Sequence, residues 1–228
     1  RALRERHVDG QLSTVDGVAL LSGGLDSGVA AACFARQPGN RLVAAVFCDY
    51  GQRAATPERR CANGLAARLG VELSDYALPW LGRLASVAGA AIVDRERPLP
   101  ASSARAPGDE DSARAVWVPA RNAVFVSIAG AVAEAVGASC VIAGFNREEA
   151  VTFPDNSRGF LEAATSFLGL GTRRGVEVVS PTVDWDKRRI VEEARQLGFG
   201  PSDFWSCYEG GDRPCGRCES CVRSRFSR

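Results

Sequence analysis

Residues 18–21 are a short, apolar, β-prone run and residues 29–35 read as a helix. Leu20 and Leu21 lead from one into the other through Ser22, Gly23, Gly24, Leu25, Asp26, Ser27 and Gly28. A strand that turns at once into a helix through paired glycines and small polar side chains leaves backbone N–H groups open to an anion. The partial positive charge of the helix N-terminus adds to their pull. The spacing lacks both the Gly-Lys-Ser/Thr ending of a P-loop and the GxGxxG of a dinucleotide site. A tight turn capped by Asp26 or Ser27 is the plainer use of such a segment.

The same alternation recurs along the chain. Strands are predicted at residues 42–48, 71–78, 140–145 and 176–179. Helices are predicted at 56–69, with Thr56 as cap and Pro57 as first residue, and at 122–136, 160–168 and 187–197. Strands that are apolar throughout, separated by helices, belong to a parallel sheet covered on both faces. The fold class is therefore α/β, a doubly wound, mainly parallel, Rossmann-like sheet. Residues 79–115 are rich in Pro, Ser, Gly and charge and are expected to be a mobile loop or lid. The organisation reads as a leader at 1–17, a phosphate-binding α/β domain at 18–198 and a small cysteine-rich element at 199–228.

Composition narrows the chemistry. With 228 residues, 46% of them hydrophobic, the chain can bury one proper core. No apolar run approaches the ~20 residues of a membrane span, and the polar start is unlike a secretory signal, so a cytoplasmic protein is expected. A net charge of +1 gives no long-range attraction for a nucleic-acid backbone. The single histidine, His7, sits in the polar leader, so nucleophilic machinery built on imidazole is not expected. Among 28 basic residues only Lys187 is a lysine. A compact ammonium reaches a phosphate where a planar guanidinium fits badly, and a solvated lysine left by chance fits the sequence equally.

Cys33, Cys48, Cys61 and Cys140 stand alone in apolar settings that suit core packing, whereas Cys207, Cys215, Cys218 and Cys221 crowd into SCYEGGDRPCGRCESC. Two overlapping CxxC pairs and a fourth thiol upstream match a closed tetrahedral thiolate site. Structural Zn²⁺ is the expected occupant, with an iron–sulfur cluster or disulfides as the alternatives.

The string SGGLDS resembles the signature of the PP-loop ATP pyrophosphatases. That resemblance implies ATP as substrate, release of pyrophosphate, and Mg²⁺ oriented by Asp26. Three further strings sharpen it: Asp49-Tyr50-Gly51-Gln52, Val118-Pro119-Ala120-Arg121-Asn122 and the SCYEGG that opens the cysteine cluster. Together they resemble the QueC family, 7-cyano-7-deazaguanine synthases of queuosine and archaeosine precursor biosynthesis, over residues 18–225.

The resemblance implies adenylation of 7-carboxy-7-deazaguanine, amidation by ammonia and dehydration of the activated amide to the nitrile, in a homodimer. It implies Asp26, Lys187 and Arg121 as catalytic residues, with Tyr50, Gln52, Arg121, Asn122, Phe153, Asp155 and Asn156 around the substrate. In this reading Arg121 pairs with a carboxylate or phosphate in fork geometry. Phe153 to Asn156 suit stacking and hydrogen bonding of a flat heterocycle, or simply form a turn closed by Asp and Asn. The chain departs from the family in TFPDNS, where many bacterial members look like GYPDCR, and in VPARN, where they carry VPGRN. Three other readings compete: attack by another amine or arrest at the amide, tRNA thiolation, and a zinc-ribbon binding module without catalysis.

Overall fold

The computed structural model describes residues 7–8, 11–12, 14–100 and 110–223. A two-residue hairpin, His7–Val8 (β1) against Gln11–Leu12 (β2), precedes the main sheet. The main strands are Val15–Leu20 (β3), Asn40–Asp49 (β4), Leu73–Ala77 (β5), Cys140–Ile142 (β6) and Glu177–Val179 (β7). They form one all-parallel sheet in the order β5-β4-β3-β6-β7. The chain builds outward from β3 to one edge and then returns to the other side, so the order reverses between β3 and β6. Ligands of such sheets bind in the crevice outside the strand C-termini at that point.

Successive residues of each strand point to opposite faces, and both faces are covered. Val18, Val46 and Val141 face Pro79–Val87 (α3), Arg121–Val136 (α5) and Arg158–Gly171 (α7). Ala19, Phe47 and Ile142 face Leu25–Ala35 (α1), Ala55–Leu69 (α2) and Lys187–Gln196 (α8). Each fully buried Val or Leu stabilises by roughly 1.5–3 kcal/mol, so burial on both sides explains strands with no polar alternation. The doubly wound class expected above is the fold observed.

Local differences have local causes. Helix α2 begins at Ala55, with Ala54 rather than Thr56 in the cap position and Pro57 inside the first turn, where its missing N–H costs nothing. The segment 79–115 is not one loop. Pro79 opens α3, whose Leu81 and Ala85, one turn apart, are buried, and Ala90, Ala91 and Ile92 continue that apolar contact. A further helix, Glu110–Val116 (α4), closes the segment, while residues 101–109 lie outside the described residues. Most of the expected leader also lies outside them, and its last three residues, 15–17, already belong to β3.

The stretch Ser112–Val136 is long and apolar enough by composition to cross a membrane. It is divided between α4 and α5, however, and the α5 residues Val126, Ala129 and Ala133 are buried in the core.

Candidate active site

A cavity of about 560 Å³ opens at the C-terminal ends of β3, β4 and β6. Leu20, Leu21, Ser22, Gly24, Leu25, Asp26 and Ser27 line one side of it. Gly24 is the N-cap of α1 and no side chain caps the helix, so the first-turn amides have no side-chain acceptor. The two hydroxyls brace the turn: Ser22 and Ser27 Oγ atoms lie 3.0 Å apart, and Ser27 Oγ donates to the Gly24 carbonyl at 3.1 Å. Gly23 and Gly28 do not line the cavity, and they act by close packing. Gly23 has φ +76°, and a Cβ there would stand 2.2 Å from the Glu58 carbonyl oxygen. Gly144, just past β6, approaches α1 so closely that its Cβ would lie 2.5 Å from the Ser27 nitrogen.

Below this turn four charged side chains converge. Lys187 Nζ donates to Asp26 Oδ2 and lies 3.2 Å from Glu149 Oε1. The Lys187 backbone N–H donates to Glu148 Oε2 at 3.2 Å. Both glutamates come from the short helix Arg147–Ala150 (α6), which Asn146 caps by accepting from the Glu149 N–H at 2.9 Å. Burial disfavours the Lys187 ammonium, but Asp26 and Glu149 outweigh it and hold the group above the ordinary lysine range. Burial raises the Asp26 carboxyl, and Lys187 opposes that rise. Asp26 Oδ1 is buried with no hydrogen-bond partner. A buried carboxylate oxygen left without a donor, beside a phosphate-type turn, is a fit for a hard divalent cation. Glu148 and Glu149 are missing from the sequence-based site. The signal available was Asn146 followed three residues later by Glu149, a helix start directly after a buried strand.

The opposite side of the cavity carries the aromatic and guanidinium groups. Arg121 opens α5 and donates to the Tyr50 hydroxyl at 3.4 Å. It is preceded by Ala120, which adopts φ +55° and is the one positive-φ residue other than glycine among the described residues. Gln52 lines the cavity but spends its amide internally. It donates to Glu58 Oε2 at 3.0 Å and to the Cys48 carbonyl at 3.3 Å, and it accepts from the Tyr50 N–H at 3.0 Å. Asn122 and Asn156 line the cavity, and Asn122 donates to the Asp155 carbonyl at 3.1 Å.

Phe153 also lines the cavity and lies parallel to Trp117, with ring centroids 6.1 Å apart and planes within 7°. Residues Pro154–Asn156 form a 3₁₀ turn after α6 rather than a loop leaving a strand. Asp155 is buried outside the cavity lining, where its carboxylate accepts from Asn156 Nδ2 at 3.3 Å. Burial raises that carboxyl, and Arg121 opposes the rise.

The cysteine element completes the wall, since Gly216, Ser220 and Cys221 line the same cavity. The Sγ atoms of Cys207, Cys215, Cys218 and Cys221 all lie within 4.8 Å of one another. The pairs Cys215–Cys221 and Cys207–Cys218 are separated by 3.9 and 4.0 Å. Four thiolates at about 2.3 Å from one ion stand about 3.8 Å apart, so the set fits a tetrahedral Zn²⁺-type centre. Disulfide sulfurs would be about 2.05 Å apart. Backbone N–H groups of Glu209 and Cys215 donate to Cys207 Sγ at 3.3 Å each, and Cys218 N–H donates to Cys215 Sγ at 3.3 Å. Such bonds orient thiolate ligands.

The element is tied to the phosphate-type turn, where Trp205 N–H donates to the Gly23 carbonyl at 2.9 Å. Its second anchor is the buried Arg53, which donates to the Asp94 and Arg97 carbonyls and lies 3.7 Å from Glu209 Oε1.

Comparison with known proteins gives these features a common frame. The 7-cyano-7-deazaguanine synthase of Methanothermobacter thermautotrophicus is 42% identical over 91% of this chain and 91% of its own length. The synthase of Bdellovibrio bacteriovorus is also 42% identical, over 91% of this chain and 90% of its own. Two solved structures align at 16% identity. The U34-tRNA thiolase NcsA from Methanococcus maripaludis covers 82% of this chain and 57% of its own, with a TM-score of 0.47. NMN synthetase from Francisella tularensis covers 85% and 68%, with a TM-score of 0.45. The family model for the queuosine biosynthesis protein QueC matches residues 16–226, and the chain belongs to the QueC family.

Proposed function

We propose that this chain converts 7-carboxy-7-deazaguanine to 7-cyano-7-deazaguanine, using ATP and ammonia. The observation that carries the reading is a single cavity with two unlike ends. One end has an uncapped helix terminus beside Asp26 and Lys187, and the other has Arg121 among Tyr50 and Phe153. A carboxylate is inert to ammonia until one oxygen joins a good leaving group, and adenylation achieves this without a protein nucleophile.

The amides of α1 receive the pyrophosphate as it departs, where charge develops in the transition state. Lys187 supplies a point charge to the phosphates. Arg121 pairs with the substrate carboxylate in fork geometry, and Phe153 offers a ring face to the base. Mg²⁺ held through Asp26 would neutralise phosphate charge, and Zn²⁺ in the four thiolates would fix the cavity wall. Ammonia displaces AMP to give the amide. A second adenylation, now of the amide oxygen, lets the nitrogen lone pair expel AMP and form the nitrile. A homodimer in a reducing cytosol, where the four thiols stay available, completes the proposal.

Thiolation of tRNA would need an activated thiolate in the cavity. Outside the metal set the lining thiol is Cys48, which burial pushes up to about 12, so it is a neutral thiol at physiological pH. The test is mass analysis of products from the purified protein with the carboxylate, ATP and ammonium. Nitrile, AMP and pyrophosphate are expected. An amide end product would move the chain to the ligase reading, and no pyrophosphate release from a folded, metal-loaded protein would favour the binding module.

A further inference from the structure

Forming a nitrile from a carboxylate and ammonia removes protons from nitrogen more than once, so the cavity needs a group to accept them. Histidine is absent from the cavity lining. Asp26 and Glu149 are tied to the Lys187 ammonium and Glu148 to its backbone N–H. Glu219 begins the helix Glu219–Arg223 (α9) between two of the clustered thiols. Tyr50 and Tyr208 are held protonated by burial.

Glu58 is differently placed. It sits in the first turn of α2, lines the cavity, and forms no ion pair among the described residues. Its Oε2 accepts from the neutral Gln52 amide at 3.0 Å, and Gln52 is itself pinned at both ends. The backbone of Glu58 packs directly on the phosphate-type turn at Gly23. Its backbone thus touches the phosphate-type turn while its carboxylate is held by Gln52 in the cavity lining. The charged groups facing it are Asp49 at the end of β4 and Arg121 on α5.

We infer that Glu58 is the general base for both nitrogen-centred steps of the proposed reaction. As ammonia attacks the acyl adenylate, the C–N bond forms, AMP leaves with the C–O electron pair, and an N–H proton passes to the Glu58 carboxylate. That proton returns to solvent. In the second step adenylation of the amide oxygen turns the C–N bond into C=N and releases one N–H proton to solvent. The resulting imidate then loses AMP with the C–O electron pair, the nitrogen lone pair becomes the third C–N bond, and Glu58 takes the last N–H proton. Burial lifts the carboxyl to about 7 against the pull of Gln52 and Arg121, which matches a base working near neutrality.

The test compares two measurements on wild type, Glu58→Gln and Glu58→Asp, each first checked for a cooperative melt. One is carboxylate-dependent exchange of pyrophosphate into ATP, which moves no proton on nitrogen. The other is nitrile formation from the 7-carboxamide and ATP, in which no ammonia titrates. In Glu58→Gln, nitrile formation is expected to fall about 10²-fold or more. That loss should exceed any loss of exchange by at least tenfold, and the acid limb of the pH–rate profile should vanish. Glu58→Asp, which keeps a carboxylate, should retain that limb. Equal losses in both assays, or an unchanged profile in Glu58→Gln, overturn the assignment. Lack of exchange in the wild type would instead remove the adenylation reading on which it rests.

Discussion

Lys187, the only lysine in the chain, closes an ion pair with Asp26 across 161 positions of sequence. The pair joins the first turns of α1 and α8, helices on the same face of the sheet, directly beneath the phosphate-type turn. Replacing Asp26 by Asn keeps the shape and removes the charge. Pyrophosphate exchange is expected to fall by about 10²–10³, the size of losing one preorganised electrostatic group. Lys187→Arg should lose exchange much as Lys187→Met does, because a planar guanidinium is a poor match for the point charge that Lys187 places between Asp26 and Glu149. Equal exchange rates for Lys187→Arg and wild type would remove the point-charge argument.

Ala120 holds φ +55° immediately before Arg121. A left-handed conformation costs a residue with a Cβ roughly 1–2 kcal/mol, and glycine avoids that cost. Ala120→Gly is therefore expected to raise stability by about 1 kcal/mol, a rise of roughly 2–4 °C in melting temperature for a chain of this size. Ala120→Val should lower it, since a β-branched side chain is worse in that region. Calorimetry on both variants decides; a lower melting temperature for the glycine variant would contradict the strained turn.

The parts of the site visible in the sequence are those carried by one continuous segment. SGGLDS marks its own turn, and the four clustered cysteines mark their own ligand set, because each is assembled by local backbone geometry. What the sequence hides is convergence. Glu148 and Glu149 look like solvated charge in a polar run, and Glu58 looks like an exposed position on an amphipathic helix. Only the placement of β4 and β6 on the two sides of β3 brings them to one cavity.

A different pattern holds at Gln52 and Asp155, polar residues in motif-like strings. Short-range hydrogen bonds occupy their side chains, Gln52 with Glu58 and Asp155 with Asn156, so they support neighbouring groups. Helix α3 is hidden for a third reason: two buried side chains, Leu81 and Ala85, suffice to fix a helix ahead of a stretch whose overall composition reads as loop.

Glu58 also makes stability depend on pH. Its carboxyl is raised from 4.5 to about 7 in the folded chain by burial. A raised carboxyl favours folding when protonated, so its contribution is complete below about pH 4.5 and is lost as pH rises through 7. The shift corresponds to no more than about 3.5 kcal/mol. Glu58→Gln should therefore be more stable than wild type at pH 8 and similar to it at pH 4.5. Chemical denaturation at the two pH values checks the sign. A difference between the two proteins that is independent of pH would mean that Glu58 ionises normally.

The cysteine element tests whether the metal site and the cavity are one unit. Trp205 donates to the Gly23 carbonyl and, through its indole N–H, to the Cys207 carbonyl at 2.7 Å. A single residue thus connects the first thiol to the phosphate-type turn. A Cβ on Gly210 would stand 1.9 Å from the Arg53 carbonyl oxygen, so the loop between the first and second thiols is pressed against the start of α2. Loss of the ion should release both contacts, because a thiolate centre of this kind supplies much of the folding energy of its element.

Cys218→Ser removes the most buried pairing partner of Cys207. It should abolish stoichiometric metal, measured by elemental mass spectrometry, and lower the melting temperature. ATP affinity should weaken in parallel. Chelation of the wild type should reproduce the effect. If the metal-free protein binds ATP as tightly as the loaded one, the cysteine element is an independent appendage, and the bond from Trp205 to Gly23 has no part in shaping the turn.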